Sequence, residues 1–102
     1  NKIKIIEKNQ LVDILKLRIL DLGLNELIEI GPNVFHNLRS LVMLNLNSNK
    51  LHYLHSNLLK NMKSLKYLNL SSNFLEIIEF NLFSDALNLQ ILDLSQNRLR
   101  II

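Results

Sequence analysis

The sequence predicts an α/β solenoid, a coil of short repeats whose strands stack into a parallel β-sheet and whose opposite side is irregular or short-helical. Two observations predict this fold. An asparagine recurs every 24 residues, and leucines stand at fixed distances before and after it in each copy. Because no column breaks in any of the full copies, chance does not explain the period. The asparagines of this column are Asn1, Asn25, Asn49, Asn73 and Asn97.

The leucine frame explains why each unit forms a strand. In one unit Leu20 and Leu22 alternate with other residues, which places both leucines on one face of a short strand. Such a strand cannot bury its leucines alone, so the next copy must stack beside it and close a common core. The amide of Asn25, with its donors and its acceptor, is predicted to satisfy backbone groups of the turn after the strand. We therefore assign the asparagine column a structural role and no ligand.

The period also organises the chain into a single array covering residues 1–102. Neither end resembles a polar cap, although solenoids need capping units to stay soluble. Several half-exposed leucines or isoleucines at each end could together cost on the order of the stability of a typical domain, about 5 to 15 kcal/mol. The sequence therefore predicts a piece of a longer array. Its units are a partial repeat 1–16, complete repeats 17–40, 41–64 and 65–88, and a partial repeat 89–102.

The segment that follows each strand is predicted to form the convex side. Gly31-Pro32 marks a turn, and Phe35 and Leu38 recur at the spacing of a short helical turn packed beneath the strand. Phe80 departs from the pattern, since the other units carry proline, serine or lysine in its column. Two interpretations remain open for Phe80: partial burial against Phe83, which is the simpler one, and an exposed contact residue.

Composition excludes several classes of protein. A hydrophobic fraction of 48% is sufficient for a core, and a net charge of +3 describes a mildly basic chain. The lysines and arginines are spread along the sequence, whereas a nucleic-acid footprint needs clustering. The chain has no cysteine, so it offers no disulfide framework and no thiolate metal site. No apolar run is long enough to cross a membrane, so membrane attachment would need segments outside this chain.

No constellation of residues indicates catalysis. His52 and His55 lie three residues apart without the further ligand that a metal site would need. Glu76 and Glu79 flank apolar residues, and nothing in the pattern supplies a cleft around them. Catalytic and phosphate-binding motifs do not occur, and the chain contains only two glycines. We predict a non-enzymatic protein that needs no metal and no cofactor.

The outward positions of the strands are the first candidate binding surface. Across the repeats they form an apolar stripe beside a polar stripe, on a rigid frame that suits a large partner. Tyr67 and Met43 are the best anchors, because aromatic residues and methionine are enriched at interface centres. An alternative remains open, since these positions resemble generic scaffold. The candidates are Arg18, Ile19, Asp21, Met43, Asn45, Lys66, Tyr67, Asn69, Ile91 and Asp93.

A second candidate surface lies on the flank of the coil. Two positions after the leucine that follows each asparagine stand Ile5, Glu29, Tyr53, Ile77 and Ile101, and four of these five are apolar. Stacked on one another they would form a hydrophobic strip. The strip is either a contact for dimerisation or a co-receptor, or ordinary exposed apolar surface. We take Tyr53 and Ile77 as its contact candidates, together with Phe80 as the exposed alternative above.

The motifs N-x-L-x-x-I/L and F-x-x-L-x-x-L, seen from Asn25 to Leu41 and from Asn73 to Leu89, resemble the typical class of leucine-rich repeat over the whole chain. This class is similar to the ectodomains of Toll and Toll-like receptors and of other extracellular animal proteins. The resemblance implies a horseshoe with a concave parallel sheet. It also implies a binding module at the cell surface, outside the cell or in the endosomal lumen, and signalling would be done by other parts of such a receptor.

For the partner we expect a protein or another macromolecule. Nucleic acid is disfavoured because only Arg18 and Lys66 are cationic among the concave candidates. The alternative function is a structural or adhesive spacer whose repeats make no direct ligand contact. One further motif, Asn69-Leu70-Ser71, is an N-glycosylation sequon and makes Asn69 a glycosylation candidate. A glycan there would obstruct the sheet in the third repeat.

Overall fold

A computed structural model describes residues 5–6, 16–36 and 38–100 of the chain. This part contains two parallel sheets, and no helix occurs in it. Four strands form one sheet, in the order Ile19–Asp21, Met43–Asn45, Tyr67–Asn69 and Ile91–Asp93, and Ile5–Ile6 pairs with Glu29–Ile30 in a second, two-stranded sheet. The predicted solenoid with a parallel sheet is confirmed. The strands are β1 (Ile5–Ile6), β2 (Ile19–Asp21), β3 (Glu29–Ile30), β4 (Met43–Asn45), β5 (Tyr67–Asn69) and β6 (Ile91–Asp93).

The register of the larger sheet equals the sequence period. Leu20 pairs with Leu44, Leu44 with Leu68, and Leu68 with Leu92, so each neighbour is the equivalent residue 24 positions along the chain. Side chains at equivalent positions therefore form straight rows across the strands. The inward leucines make the core, in which Leu44 is fully buried and Leu68 is 2% exposed. On the edge strand β6, Leu92 has no further strand beside it and is 36% exposed.

Tight turns, not helical turns, form the opposite side of the coil. The backbone N–H of Leu38 donates to the carbonyl of Phe35 at 3.0 Å, and that of Leu41 donates to the carbonyl of Leu38 at 3.2 Å. Asn33 and Asn61 have φ values of 62° and 68°, a left-handed conformation that a right-handed helix cannot continue. Of the two predicted alternatives for this side, irregular or short-helical, the described residues show the irregular one. Phe35 nevertheless fills the space beneath the strands and is fully buried.

The asparagine column is a ladder of side-chain hydrogen bonds. Asn73, which is 2% exposed, accepts a hydrogen bond at Oδ1 from the backbone N–H of Leu51 at 3.1 Å. Its Nδ2 donates to the carbonyls of Leu46, Leu70 and Ser71 at 3.0, 3.1 and 3.2 Å. Two of these partners belong to the preceding coil. One amide thus satisfies backbone groups of two coils at once.

The other asparagines repeat this arrangement. Asn49 accepts from the N–H of Leu27, and Asn97 makes the equivalent contacts one coil further on. Asn25 donates to carbonyls of its own turn, and Asn1 lies outside the described residues. The residue before each amide has a left-handed backbone, which bends the chain out of the strand. These residues are Leu24, Ser48, Ser72 and Gln96, with φ values of 57°, 56°, 57° and 55°.

We expect Asn73→Ala to lower the free energy of unfolding by roughly 2 to 4 kcal/mol, because it leaves the buried N–H of Leu51 without a partner. It also removes one of the two side-chain amide hydrogen bonds that the carbonyls of Leu46 and Leu70 each accept. Urea denaturation followed by circular dichroism measures the change. Asn57→Ala is the control, since Asn57 is exposed and lies outside the ladder. Equal losses in the two variants would contradict a dominant role of the ladder.

Candidate functional site

The sheet places one exposed apolar side chain of each strand in a single row. The register joins Ile19 to Met43, Met43 to Tyr67, and Tyr67 to Ile91. Their exposed fractions are 60%, 36%, 39% and 51% in that order. Adjacent strands lie about 4.8 Å apart, so the four side chains form a continuous strip. We call these four residues the apolar row.

The neighbouring row is polar, and it consists of the last residue of each of the four strands. Each of its side chains accepts a hydrogen bond from the backbone N–H two residues further on, which is an Asx turn. The Asn45 amide also donates to Oδ1 of Asp21 at 3.1 Å. The pairs are Asp21 with Gly23, Asn45 with Asn47, Asn69 with Ser71, and Asp93 with Ser95, at 2.9 to 3.0 Å.

These Asx turns were not foreseen from the sequence, which suggested only ligand contact for the polar row. The signal was present, because each strand of the four-stranded sheet ends in Asp or Asn followed two residues later by Gly, Asn or Ser. In Asn69 the turn is reinforced, since the hydroxyl of Ser71 also donates to Oδ1 at 2.7 Å. The amide of the predicted glycosylation site is thus part of a turn in the folded chain.

The Asx turn also affects the charge of Asp93. The side chain of Ser95 and then its backbone N–H hydrogen-bond the carboxylate, and together they hold the pKa of Asp93 below its ordinary value. A lowered pKa in the folded state means that the carboxylate stabilises the fold at neutral pH. That contribution is lost as the pH falls below about 3.9, the ordinary pKa of aspartate, and through the lower folded value.

The two rows together line a shallow depression of about 230 Å³ on the sheet. Its polar side consists of turn-forming side chains, and its apolar side consists of exposed side chains of the apolar row together with the buried Leu44 and Leu68. A depression of this size and openness suits the side chains of a macromolecular partner better than an enclosed small ligand. The lining residues are Met43, Leu44, Asn45, Tyr67, Leu68, Asn69, Ile91 and Asp93.

The flank carries exposed apolar side chains mixed with charged groups. Tyr53 and Ile77 are 49% and 47% exposed, and Glu29 is exposed beside them. The hydroxyl of Tyr53 donates to Oε2 of Glu79 at 2.9 Å, and this bond raises the pKa of Tyr53. Ile101 of the predicted strip lies outside the described residues, as does the side chain of Ile5. The flank therefore offers exposed apolar area at Tyr53 and Ile77, and the Tyr53 hydroxyl is already hydrogen-bonded to Glu79.

A stack of side chains on the same flank was not foreseen. The guanidinium carbon of Arg98 lies 4.3 Å from the centre of the Phe74 ring, and the centre of the His52 ring lies 5.2 Å from that of Phe74. A cation over an exposed aromatic ring contributes roughly 0.5 to 1 kcal/mol. Phe74 and Arg98 occupy the column directly after the asparagines, where a column-by-column comparison of the repeats could have found them.

Phe80 is 98% exposed and does not pack against Phe83. The expectation of partial burial is therefore wrong, and the physical reason is its position at the start of a tight turn that directs Leu82, not Phe80, into the core. Phe80 remains a candidate contact residue.

The described residues contain neither a cluster of metal-binding side chains nor a membrane-spanning helix. No group of three or more histidine, aspartate or glutamate side chains in this part of the chain is placed to hold a metal ion. Within the same residues, no helix is long and apolar enough to cross a lipid bilayer.

The repeat geometry agrees with known proteins. The leucine-rich repeat family model matches residues 1–51 and 43–99, and the chain therefore belongs to the leucine-rich repeat family. Proteins of this family are typically non-enzymatic and generally mediate protein–protein interaction.

One similar solved structure is described as the crystal structure of the APL1 leucine-rich repeat domain. It shares 36% sequence identity and superposes with a TM-score of 0.80. The match covers 83% of this chain and 22% of that chain, so this chain corresponds to about a fifth of its relative. A comparison with curated proteins found no match.

We expect Ser95→Ala to raise the pKa of Asp93 towards its ordinary value, because the variant removes the hydroxyl bond and keeps the backbone one. An NMR titration of the Asp93 carboxyl measures this change. Ser84→Ala is the control, since the Ser84 hydroxyl bonds a carbonyl on another part of the coil. An unchanged Asp93 titration in Ser95→Ala would show that the hydroxyl does not act on the carboxylate.

Proposed function

We propose that this chain is a recognition segment of a receptor-like, extracellular leucine-rich repeat ectodomain, and that its sheet surface binds a protein partner. The observation that carries the proposal is the apolar row, four exposed side chains in register on four strands. The sequence resemblance to Toll-like ectodomains and the sequon at Asn69 support the extracellular location.

The apolar row has the properties of an interface centre. Covering its exposed area gains about 25 cal/mol per Å² of apolar surface removed from water. Tyr67 and Met43 are residue types that are enriched at such centres, and both stand on central strands of the sheet. The backbone ladder and the Asx turns hold these strands, so little conformational freedom is lost on binding.

The proposal is tested by presenting the chain to an array of secreted proteins and ectodomains and measuring the affinity of each binder by interferometry. We expect Met43→Ser/Tyr67→Ser to weaken binding by about thirtyfold, which corresponds to the loss of a hot spot of about 2 kcal/mol. The matched control is Tyr53→Ser/Ile77→Ser on the flank, which should bind as the wild type does.

The opposite result would reassign the contact. If the flank variant loses binding and the sheet variant does not, the flank strip is the interface for a partner or a co-receptor. If the array yields no binder, the spacer function replaces recognition.

The extracellular location predicts that Asn69 carries a glycan when the chain is secreted from animal cells. Mass spectrometry before and after enzymatic deglycosylation measures this, and Asn69→Gln is the control because the sequence has no other sequon. An unmodified Asn69 in secreted protein would remove this support. A modified Asn69 would obstruct the third repeat and shift contacts towards the flank.

A further inference from the structure

Five exposed cationic residues lie in the segments that lead into the strands of the four-stranded sheet. They come from the segments 16–18, 38–42 and 62–66 of three successive coils, and neither these segments nor the equivalent segment 86–90 contains a carboxylate. Asp85, directly before the last segment, accepts a hydrogen bond from the backbone N–H of Asn61 at 3.1 Å. We call these cations the basic edge. Its residues are Lys16, Arg18, Arg39, Lys63 and Lys66.

The backbone hydrogen bonds between strands place two of these cations, Arg18 and Lys66, close together. The N–H of Val42 donates to the carbonyl of Arg18 at 2.7 Å, and the N–H of Lys66 donates to the carbonyl of Val42 at 2.8 Å. Arg18 and Lys66 are thus two strands apart, a distance of about 10 Å between their backbones. Arg39 and Lys63 hold equivalent positions in successive coils. Charges that are spread through the sequence therefore form one patch on the surface.

No ion pair neutralises this patch. Among the described residues the single salt bridge joins Arg100 to Glu76 at 2.6 Å, and it lies on the flank. The flank segments after the asparagines carry four glutamates and three cations, so they are close to neutral. The positive field is consequently concentrated on one side of the coil, where it attracts an anionic surface.

The basic edge borders the apolar row without a gap. Arg18 directly precedes Ile19 and Lys66 directly precedes Tyr67, and all four are exposed. From this continuity we infer that the partner is a protein segment whose apolar side chains are bordered on one side by aspartates or glutamates. The inference rests on the function proposed above and specifies the chemistry of the partner.

Two other partners fit the surface less well. A phosphate backbone laid across the sheet would meet Asp21 and Asp93 beyond the apolar row, and only Tyr67 in that row could stack on a base. A second copy of the chain would have to place its glutamate-bearing flank against the basic edge. Three cations on that flank offset its four glutamates, so the attraction would be weak. An acidic protein segment meets neither obstacle.

The test selects binders from a phage-displayed library of random peptides on the immobilised chain. We expect the selected peptides to be enriched in acidic residues next to apolar ones. The consensus peptide is then titrated by fluorescence anisotropy at low and at high salt. Lys63→Gln/Lys66→Gln should weaken its binding by about five- to tenfold and reduce the salt dependence. The matched control, Lys50→Gln/Lys60→Gln, removes the same charge elsewhere and should have no effect.

Each contrary outcome is informative. Selected peptides that are apolar without acidic residues overturn the basic edge and leave the apolar row in place. Acidic peptides that bind Met43→Ser/Tyr67→Ser as well as the wild type overturn the apolar row instead. An absence of binders overturns both. Tighter binding of a single-stranded oligonucleotide than of the peptide, or self-association that is lost in Lys63→Gln/Lys66→Gln, would replace the acidic segment as the partner.

Discussion

The asparagine amide is the interaction on which the rest of this structure depends. Each coil turns sharply after a strand of three residues, and the turn leaves backbone groups pointing inward, away from water. The amide of Asn73 bonds a backbone N–H and a carbonyl of the preceding coil as well as carbonyls of its own coil. With those groups satisfied, leucines such as Leu70 can pack against them in a dry core. Hydrogen bonds thus fix the spacing between coils, and leucine side chains fill the interior between them.

Because hydrogen bonds and inward leucines hold the coils together, the outward positions are free to differ between repeats. The choice of side chain in the polar row is restricted, because these side chains close the Asx turns at the ends of the strands. The apolar row and the positions before it form no such bonds. Differences there alter the surface without disturbing the frame. Under the proposed function, recognition resides in the apolar row and the basic edge.

Much of the site was predictable because the register of the sheet equals the repeat. Once Leu20 and Leu44 are equivalent, the row from Ile19 to Ile91 follows from simple alignment. The basic edge was missed although the same alignment contains it, since charge was judged along the sequence and not across the coils. The stack of Arg98 on Phe74 joins adjacent coils in the same manner and was missed for the same reason.

By itself the sequence determined the repeat, the inward leucines and the asparagine column, because these follow from local alternation and a fixed period. Only the tertiary structure decided the conformation of the turns and the exposure of side chains such as Phe80. Asparagine tolerates a left-handed backbone, as at Asn33, but does not require one. The outward position of Phe80 depends on how the neighbouring coil packs, and that packing is a non-local property. It likewise brought Arg18 and Lys66 together, because the strand spacing and not their separation along the chain sets the distance between them.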